Sequence, residues 1–263
     1  MQLKMMIDFH IHILPGLDDG ASYWEETMAM AKAAVADGTT ALVAAPHYIG
    51  MRYHSSRDKV DRLVQELRGY LAKAKLPLEI YPAAEVQLGP DIPRLLADGV
   101  LPTVNDTGYL LVELPFGEEL ANSEPVIAKL REMGITPILV HPERHREVRE
   151  NPQWLVDFIR EGGLTQINTA SLSGDHGEDI QRFADMLVRG HLVHLLGSDS
   201  HGVWQRKPGL SKGLAKIHQL AGERWAAFMV AECPFKVLTG RPPADLRAFL
   251  PKVSILDGLA NRL

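Results

Sequence analysis

Short apolar runs with strand character alternate with helical patterns along almost the whole chain. Seven of these runs predict strands, at about residues 3–9, 40–45, 78–84, 109–112, 136–140, 164–168 and 192–196. Parallel strands need long crossover connections, which the intervening helices supply. The alternation therefore predicts an α/β protein with a mostly parallel sheet, which is either closed into a barrel or open and doubly wound.

The segments between these runs place apolar residues at helical spacing. A long helix follows Ser55-Ser56 and continues to about Lys75. Further helices are predicted at about residues 24–37, 92–97, 124–133, 152–161 and 178–189, with three more between 210 and 238. No repeat or linker divides the chain. We therefore predict one domain over residues 1–240 and a C-terminal tail, residues 241–263, that packs on the domain or on a neighbouring molecule.

The composition argues against several classes of protein. The formal net charge of −5 argues against a dedicated nucleic-acid binder, which usually carries a basic patch. The single cysteine, Cys233, excludes a disulfide within the chain and a cysteine-based zinc site. No apolar run approaches the ~20 residues of a membrane helix, and Asp8 comes too early for a signal peptide. We expect a cytoplasmic protein without direct membrane insertion.

Residues of metal-ligand type gather near the ends of the predicted strands. His10 and His12 are two residues apart, so in an extended chain their side chains point the same way. Asp18 and Asp19 follow in a turn-rich loop. The other strand-end candidates are His47, Glu85, Glu113, His141, Asp199 and His201. Such positions converge on one face of a closed barrel but not across an open sheet, so the pattern favours a barrel.

Each of these residues alone has an ordinary interpretation, such as a surface histidine or a turn aspartate. What indicates a site is that all of them lie near the ends of predicted strands. The six remaining histidines lie in loops, helices or strand interiors, and we assign them no chemistry. Mixed imidazole and carboxylate ligands suit manganese, zinc or iron. The candidates are too many for one ion, so we infer two or three ions. Such sites typically hydrolyse phosphate esters, because the ions activate water and neutralise developing charge.

Two arginines lie on the ligand-bearing loops. Arg144 follows His141 by three residues, and Arg206 follows His201 by five. A guanidinium matches phosphate oxygens bidentately, although most arginines are simply surface residues. Other hydrolytic chemistries are excluded: Cys233 lacks the arginine of a C-x5-R motif, and neither a G-x-S-x-G elbow nor a phosphate-binding P-loop occurs.

The sequence resembles the PHP (polymerase and histidinol phosphatase) superfamily. The motifs that carry the resemblance are Asp8-Phe9-His10-Ile11-His12, Ala45-Pro46-His47, Ala84-Glu85, Val140-His141-Pro142-Glu143-Arg144 and Ser198-Asp199-Ser200-His201. Within it, the chain looks similar to the manganese-dependent protein-tyrosine phosphatases of bacterial capsule and exopolysaccharide clusters. This closer match rests on residues 14–20, 134–137 and 165–168. The resemblance extends to about Gly240.

The resemblance implies a distorted barrel of seven β/α units and three divalent ions, with manganese favoured over iron or zinc. One ion would take His10, His12, Glu85 and Asp199. A second would share Glu85 and take Glu113 and His141. The third would take Asp19, His47 and His201. Arg144 and Arg206 would contact the phosphate and, with Asp199, form the catalytic set.

The implied substrate is the phosphotyrosine tail of a membrane-associated tyrosine kinase of polysaccharide assembly, whose dephosphorylation would regulate capsule synthesis. A homo-oligomer is compatible with the sequence. Two departures bear on specificity: Ile11 stands where a small residue is commoner and would narrow the pocket, and the loop 48–54 contains Met51, Arg52 and Tyr53.

Three alternatives stay open. The first is a small-molecule phosphatase such as histidinol-phosphate phosphatase. The second is a PHP phosphoesterase or nuclease acting on nucleic acid, which the net charge of −5 disfavours. The third is a non-catalytic scaffold that binds a kinase tail, which the full set of ligand-type residues disfavours.

Overall fold

The fold is that of a computed structural model, which describes residues 5–204 and 206–243. In this part of the chain the strands are β1 (Ile7–Ile11), β2 (Ala41–Ala44), β3 (His47–Ile49), β4 (Tyr53–His54), β5 (Glu79–Pro82), β6 (Glu85–Gln87), β7 (Tyr109–Glu113), β8 (Thr136–Val140), β9 (Leu164–Asn168) and β10 (Leu195–Gly197). The hairpin strand β4 was not predicted from the sequence.

The helices alternate with these strands as the sequence predicts. They are α1 (Trp24–Ala36), α2 (Arg57–Ala74), α3 (Ile92–Ala97), α4 (Glu124–Glu132), α5 (Arg146–Glu150), α6 (Pro152–Arg160), α7 (Thr169–Ser173), α8 (Glu178–Arg189), α9 (Ser211–Ala221), α10 (Glu223–Ala227) and α11 (Cys233–Leu238). Short 3₁₀ turns cover Val104–Asp106, Leu120–Asn122 and Pro142–Arg144, and a π-helical turn, Phe228–Glu232, joins α10 to α11. None of the described helices is both long and apolar enough to cross a membrane.

The strands form two sheets, in the orders β1-β2-β5 and β10-β9-β8-β7-β6-β3-β4. Every pair is parallel except the hairpin β3–β4. Only two residues separate β2 from β3 and β5 from β6. Across these gaps the pairing continues, because Ala83 N donates to Ala44 O (2.9 Å) and Glu85 N to Pro46 O (3.0 Å). Each pair is therefore one strand with an interruption, and Pro46, which has no N–H to donate, lies in the first.

The two sheets also meet at the other edge. Ile11 and Ser200 form a parallel bridge. His12 N donates to Ser200 O (3.0 Å), and Asp199 N donates to His10 O (2.8 Å). Seven strand units thus follow one another around a ring. The predicted α/β class and the seven β/α units are confirmed, although the ring consists of two joined sheets and not one continuous sheet.

Side chains alternate between two apolar layers along the strands. In β2, Val43 packs in the larger core cluster with Phe9, whereas Leu42 packs with Met30 of α1 and Leu67 of α2. This alternation is what a strand with two buried faces requires. Because both faces of the strands are buried in apolar layers, the carboxyl ends of the strands are where polar side chains can gather.

The predicted tail begins at Arg241, and residues 244–263 lie outside the described part of the chain. The backbone of Arg241 is tied to the domain, because its N–H donates to Lys236 O (2.8 Å) and its carbonyl accepts from Tyr109 Oη (3.2 Å). The domain boundary at residue 240 stays a prediction.

Candidate metal centre

The nine predicted ligands lie together at the carboxyl end of the ring. His10 is in β1 and Glu113 ends β7, whereas His47 and Glu85 begin β3 and β6. The sequence placed His47 and Glu85 just beyond the strands. They are instead in strands because the chain resumes pairing after each interruption. The remaining five ligands lie in loops that follow strands, and they are His12, Asp19, His141, Asp199 and His201.

A first group of four ligands is buried at the centre, and its ligand atoms all lie within 4.8 Å of one another: His10, His12, Glu85 and Asp199. His10 Nε2 and His12 Nε2 are 3.0 Å apart. Glu85 Oε2 lies 3.1 Å from the first nitrogen and 3.2 Å from the second. Two imidazole nitrogens and a carboxylate oxygen that converge in this way can hold one cation between them.

A second group lies on the outer side of His12 and consists of His12, Asp19, His47 and His201. Asp19 Oδ1 is 3.7 Å from His47 Nε2 and 3.4 Å from His201 Nε2. The resemblance implied the last three of these residues, and the structure adds His12 to them.

A third group centres on two carboxylates, Glu85 and Glu113, which lie with His47 within the same 4.8 Å limit. His141 Nε2 is 2.8 Å from Glu85 Oε1 and 3.7 Å from Glu113 Oε1. Oε2 of Glu85 faces His10, His12 and His47, whereas its Oε1 faces His141. Glu85 therefore belongs to two of the three groups.

Unpaired nitrogens and a raised carboxyl pKa in the cluster are both consistent with cation binding at this position. His201 Nε2 has no hydrogen-bond partner, and His47 Nδ1 lies 3.0 Å from Glu85 Oε2 without hydrogen-bond geometry. Burial and the neighbouring Glu85 carboxylate raise the pKa of Glu113 to about 9. Unpartnered buried nitrogens and crowded carboxylates both cost free energy, and a bound cation relieves both.

Two residues orient the imidazoles and were not predicted to do so. Asp18 Oδ2 accepts from His12 Nδ1 (2.7 Å) and from His47 N (2.8 Å), and its Oδ1 accepts from Gly20 N (2.9 Å). Gln166 Oε1 lies 3.1 Å from His10 Nδ1. Such contacts fix each ring so that its Nε2 faces the ligand cluster. Asp18 thus shapes the turn and also holds His12, and Gln166 lies in β9, which the sequence indicated only as a strand and as part of the resemblance.

Asp199 is held by three donors on one side. Its Oδ2 accepts from Arg144 Nη1 (3.0 Å), from Asn168 Nδ2 (2.7 Å) and from Arg206. Although burial opposes ionisation, a hydrogen bond from His12 and nearby positive charges keep the pKa of Asp199 well below its usual range. Both guanidinium groups remain about one-third exposed, at 27% and 33%, so each also reaches the solvent side of the cluster.

The backbone is unusual at two of the ligands. His141 and Asp199 both have left-handed conformations, with φ of 33° and 51°. For residues other than glycine, such conformations cost on the order of 1–3 kcal/mol each and occur mainly at functional sites. They redirect the chain one residue after β8 and two residues after β10, which brings both side chains into the cluster.

Ile11 does not line the ligand cluster. Its side chain is fully buried with Ile13, Leu14 and Met30 in the apolar layer against α1. The expectation that Ile11 narrows the pocket was wrong, because successive side chains of a strand point to opposite faces and those of His10 and His12 face the ligand cluster.

Similarity to known proteins agrees with this geometry. A family profile for capsular polysaccharide synthesis, CpsB/CapC, matches residues 6–239. The tyrosine-protein phosphatase YwqE of Bacillus subtilis (strain 168) is 36% identical over 201 residues, which are 76% of this chain and 79% of YwqE. The putative tyrosine-protein phosphatase CapC of Staphylococcus aureus is 32% identical over the same shares of the two chains.

Among solved structures, a chain from the crystal structures of YwqE from Bacillus subtilis and CpsB from Streptococcus pneumoniae superposes with a TM-score of 0.85. It is 33% identical in sequence, and the match covers 90% of this chain and 98% of that one. Those proteins are described as unique metal-dependent tyrosine phosphatases.

Proposed function

Since the chain belongs to the CpsB/CapC family of capsular polysaccharide synthesis, we propose that it is a metal-dependent protein-tyrosine phosphatase, a phosphoric monoester hydrolase. The observation that carries the proposal is the convergence of five imidazoles and four carboxylates beside two partly exposed guanidinium groups. Divalent ions held by these ligands would activate a water molecule and neutralise charge on the phosphoryl oxygens.

The residues of the chain position the phosphoryl group. Arg144 and Arg206 are fixed by Asp199 and present their remaining N–H donors to solvent, where they can bind phosphoryl oxygens. A tyrosine side chain, with a pKa of ~10, leaves more readily than an alkoxide and needs little help from a general acid. Cys233 takes no part, because it is buried in the apolar core, where burial raises the pKa of its thiol.

The proposal also specifies the ions and the substrate. Three ions would be bound, with manganese first and iron or zinc as alternatives, since imidazole and carboxylate ligands suit all three. The substrate would be the phosphotyrosine tail of a membrane-associated tyrosine kinase, met in the cytoplasm, and its dephosphorylation would regulate capsule or exopolysaccharide synthesis.

The test is phosphate release from a phosphotyrosine peptide by the purified protein across a series of divalent metals. We expect activity that a chelator abolishes and manganese restores. Arg206→Ala should lower kcat/KM by about 10- to 100-fold, the value of a charged hydrogen bond in the transition state. Arg160→Ala, which removes an exposed arginine on α6, serves as the control.

Two results would overturn the proposal. One is full manganese-stimulated activity in Asp199→Ala or His141→Ala. The other is turnover of histidinol phosphate with none of the phosphotyrosine peptide, which would assign the site to a small-molecule phosphatase. An oligomer, which the sequence leaves open, is checked separately by light scattering.

A further inference from the structure

An exposed aromatic side chain stands at the edge of the ligand cluster. Phe116 follows β7 in the loop before α4 and is 52% exposed. One side of its ring stacks on His145, with ring centroids 4.4 Å apart and planes at 17°. It is also nearly parallel to the ligand His141, at 6.4 Å and 14°. Phe116 is thus fixed beside the site while half of its surface faces solvent.

A second aromatic side chain is nearly parallel to the ring of another predicted ligand. Tyr53, in the hairpin strand β4, is nearly parallel to His47, with centroids 5.9 Å apart and planes at 11°. Each ring also has a guanidinium near it: Arg144 lies 5.6 Å from the Phe116 centroid, and Arg52 lies 4.9 Å from that of Tyr53.

The two rings flank a common centre. The imidazoles that they stack beside, His141 and His47, contact the same carboxylate, Glu85, at 2.8 and 3.0 Å. In the sheet, β3 and β7 are the two neighbours of β6, which begins with Glu85. One aromatic therefore comes from each side of the strand that carries the central ligand.

We propose that Phe116 and Tyr53 bind the aryl ring of the substrate and select aryl over alkyl phosphates. The inference rests on the proposed function and deepens it. In an aryl phosphate a single oxygen separates phosphorus from the ring. A phosphoryl group bound among the ligands therefore places the ring at the edge of the cluster, where these side chains stand. Aromatic pairs add attraction beyond area burial in stacked or edge-to-face geometry, which an alkyl group cannot match.

The experiment compares aryl and alkyl ligands on the manganese-loaded protein. Binding of phenylphosphonate and propylphosphonate is measured by calorimetry, and kcat and KM are measured for a phosphotyrosine and a phosphoserine peptide. Phe116→Ala should weaken phenylphosphonate and raise the phosphotyrosine KM by about tenfold, equivalent to ~1.4 kcal/mol. Propylphosphonate affinity should change less than about twofold, and Tyr53→Leu should show the same selectivity.

Controls separate ring binding from a packing role. Phe116→Trp should retain the preference for the aryl ligand, and Phe235→Ala, at an exposed phenylalanine of α11, should change neither ligand. Equal weakening of both phosphonates, or a loss of manganese affinity in Phe116→Ala, would overturn the inference and assign Phe116 to support of His141. Absence of any phosphotyrosine hydrolysis by the unaltered protein would instead refute the proposed function.

Discussion

At the scale of single residues, Asp18 shows how much of the site depends on groups outside the predicted ligand set. Its carboxylate joins three points of the chain: the His12 ring, the backbone N–H of His47 and the N–H of Gly20. Burial opposes its ionisation, but the neighbouring His12 imidazole keeps the pKa of Asp18 below its ordinary value. The charge of Asp18 is therefore retained at neutral pH, where it favours the His12 tautomer whose Nε2 faces the cluster.

We expect Asp18→Asn to weaken metal binding by about 10- to 100-fold, the usual effect of losing a partner that orients a ligand. An asparagine has one acceptor oxygen and cannot serve both Gly20 N and His12 Nδ1. The affinity is measured by titrating manganese into the metal-free protein. Asp98→Asn, at an exposed residue after α3, is the matched control. Wild-type affinity in Asp18→Asn would show that His12 is oriented without this contact.

The sequence indicated the ligand-type residues and not their supports, for a physical reason. A ligand such as Asp199 or His141 stands at a strand end, and strand ends can be read from the pattern of apolar residues. Gln166 lies inside β9 and reaches His10 because β10, which pairs with β9, lies beside β1 in the ring. A contact across 156 positions leaves no trace in local periodicity.

At the scale of elements, one aspartate joins two helices. Asp37 follows the last residue of α1, and its Oδ2 accepts from Leu210 N (2.6 Å) and Ser211 N (2.9 Å). Its Oδ1 accepts from the Ser211 hydroxyl. It thus caps the start of α9 from a distant part of the chain, and a negative charge at this end also complements the helix dipole.

Asp37→Ala should lower the free energy of unfolding by about 1–2 kcal/mol, the range found for loss of a helix cap. Chemical denaturation of the metal-loaded protein measures the change. Ser211→Ala removes only the hydroxyl contact and should cost less. An unchanged midpoint in Asp37→Ala would mean that water satisfies the first N–H groups of α9 equally well.

Elements with a strong local signal were predicted well, and the others were not. The bounds of β8, β9, α3 and α8 are confirmed, since each begins within three residues of a glycine that marks the boundary of an element. The last strand was predicted at 192–196 but is Leu195–Gly197. The two strand interruptions were missed because their pairing depends on neighbouring strands. The helices α5 and α7 are only five residues long and present too few turns to show a period.

At the scale of the whole molecule, an ion bound at the predicted site would compete with a proton on Glu113. Glu113 has a pKa of about 9 in the metal-free fold, against 4.5 ordinarily. Between these values the folded protein retains a proton that the unfolded chain has released. The contribution of Glu113 to stability is therefore fully present below about pH 4.5 and is lost as the pH rises toward 9.

In the presence of a chelator, the melting temperature should consequently fall between pH 6 and 9 more steeply in the wild type than in Glu113→Gln. In terms of the free energy of unfolding, the slopes of the two proteins against pH should differ by at most about 1.4 kcal/mol per pH unit. With saturating manganese the wild type should be stabilised more as the pH rises, since the ion displaces this proton. Calorimetric scans across pH provide the measurement, and identical slopes in both proteins would contradict the assignment.

The bridge between Ile11 and Ser200 has a consequence for the order of events during synthesis. The first strand, β1, emerges from the ribosome well before its second neighbour, which lies about 190 positions later, where Ser198 N donates to Asp8 Oδ1. At ~5–20 residues per second, β1 waits roughly 10–40 s for that partner. Asp199 and His201 arrive with it. A nascent chain that has not yet reached Ser198 presents an unpaired strand edge and lacks two of the predicted ligands, so closure of the ring and completion of the ligand set coincide.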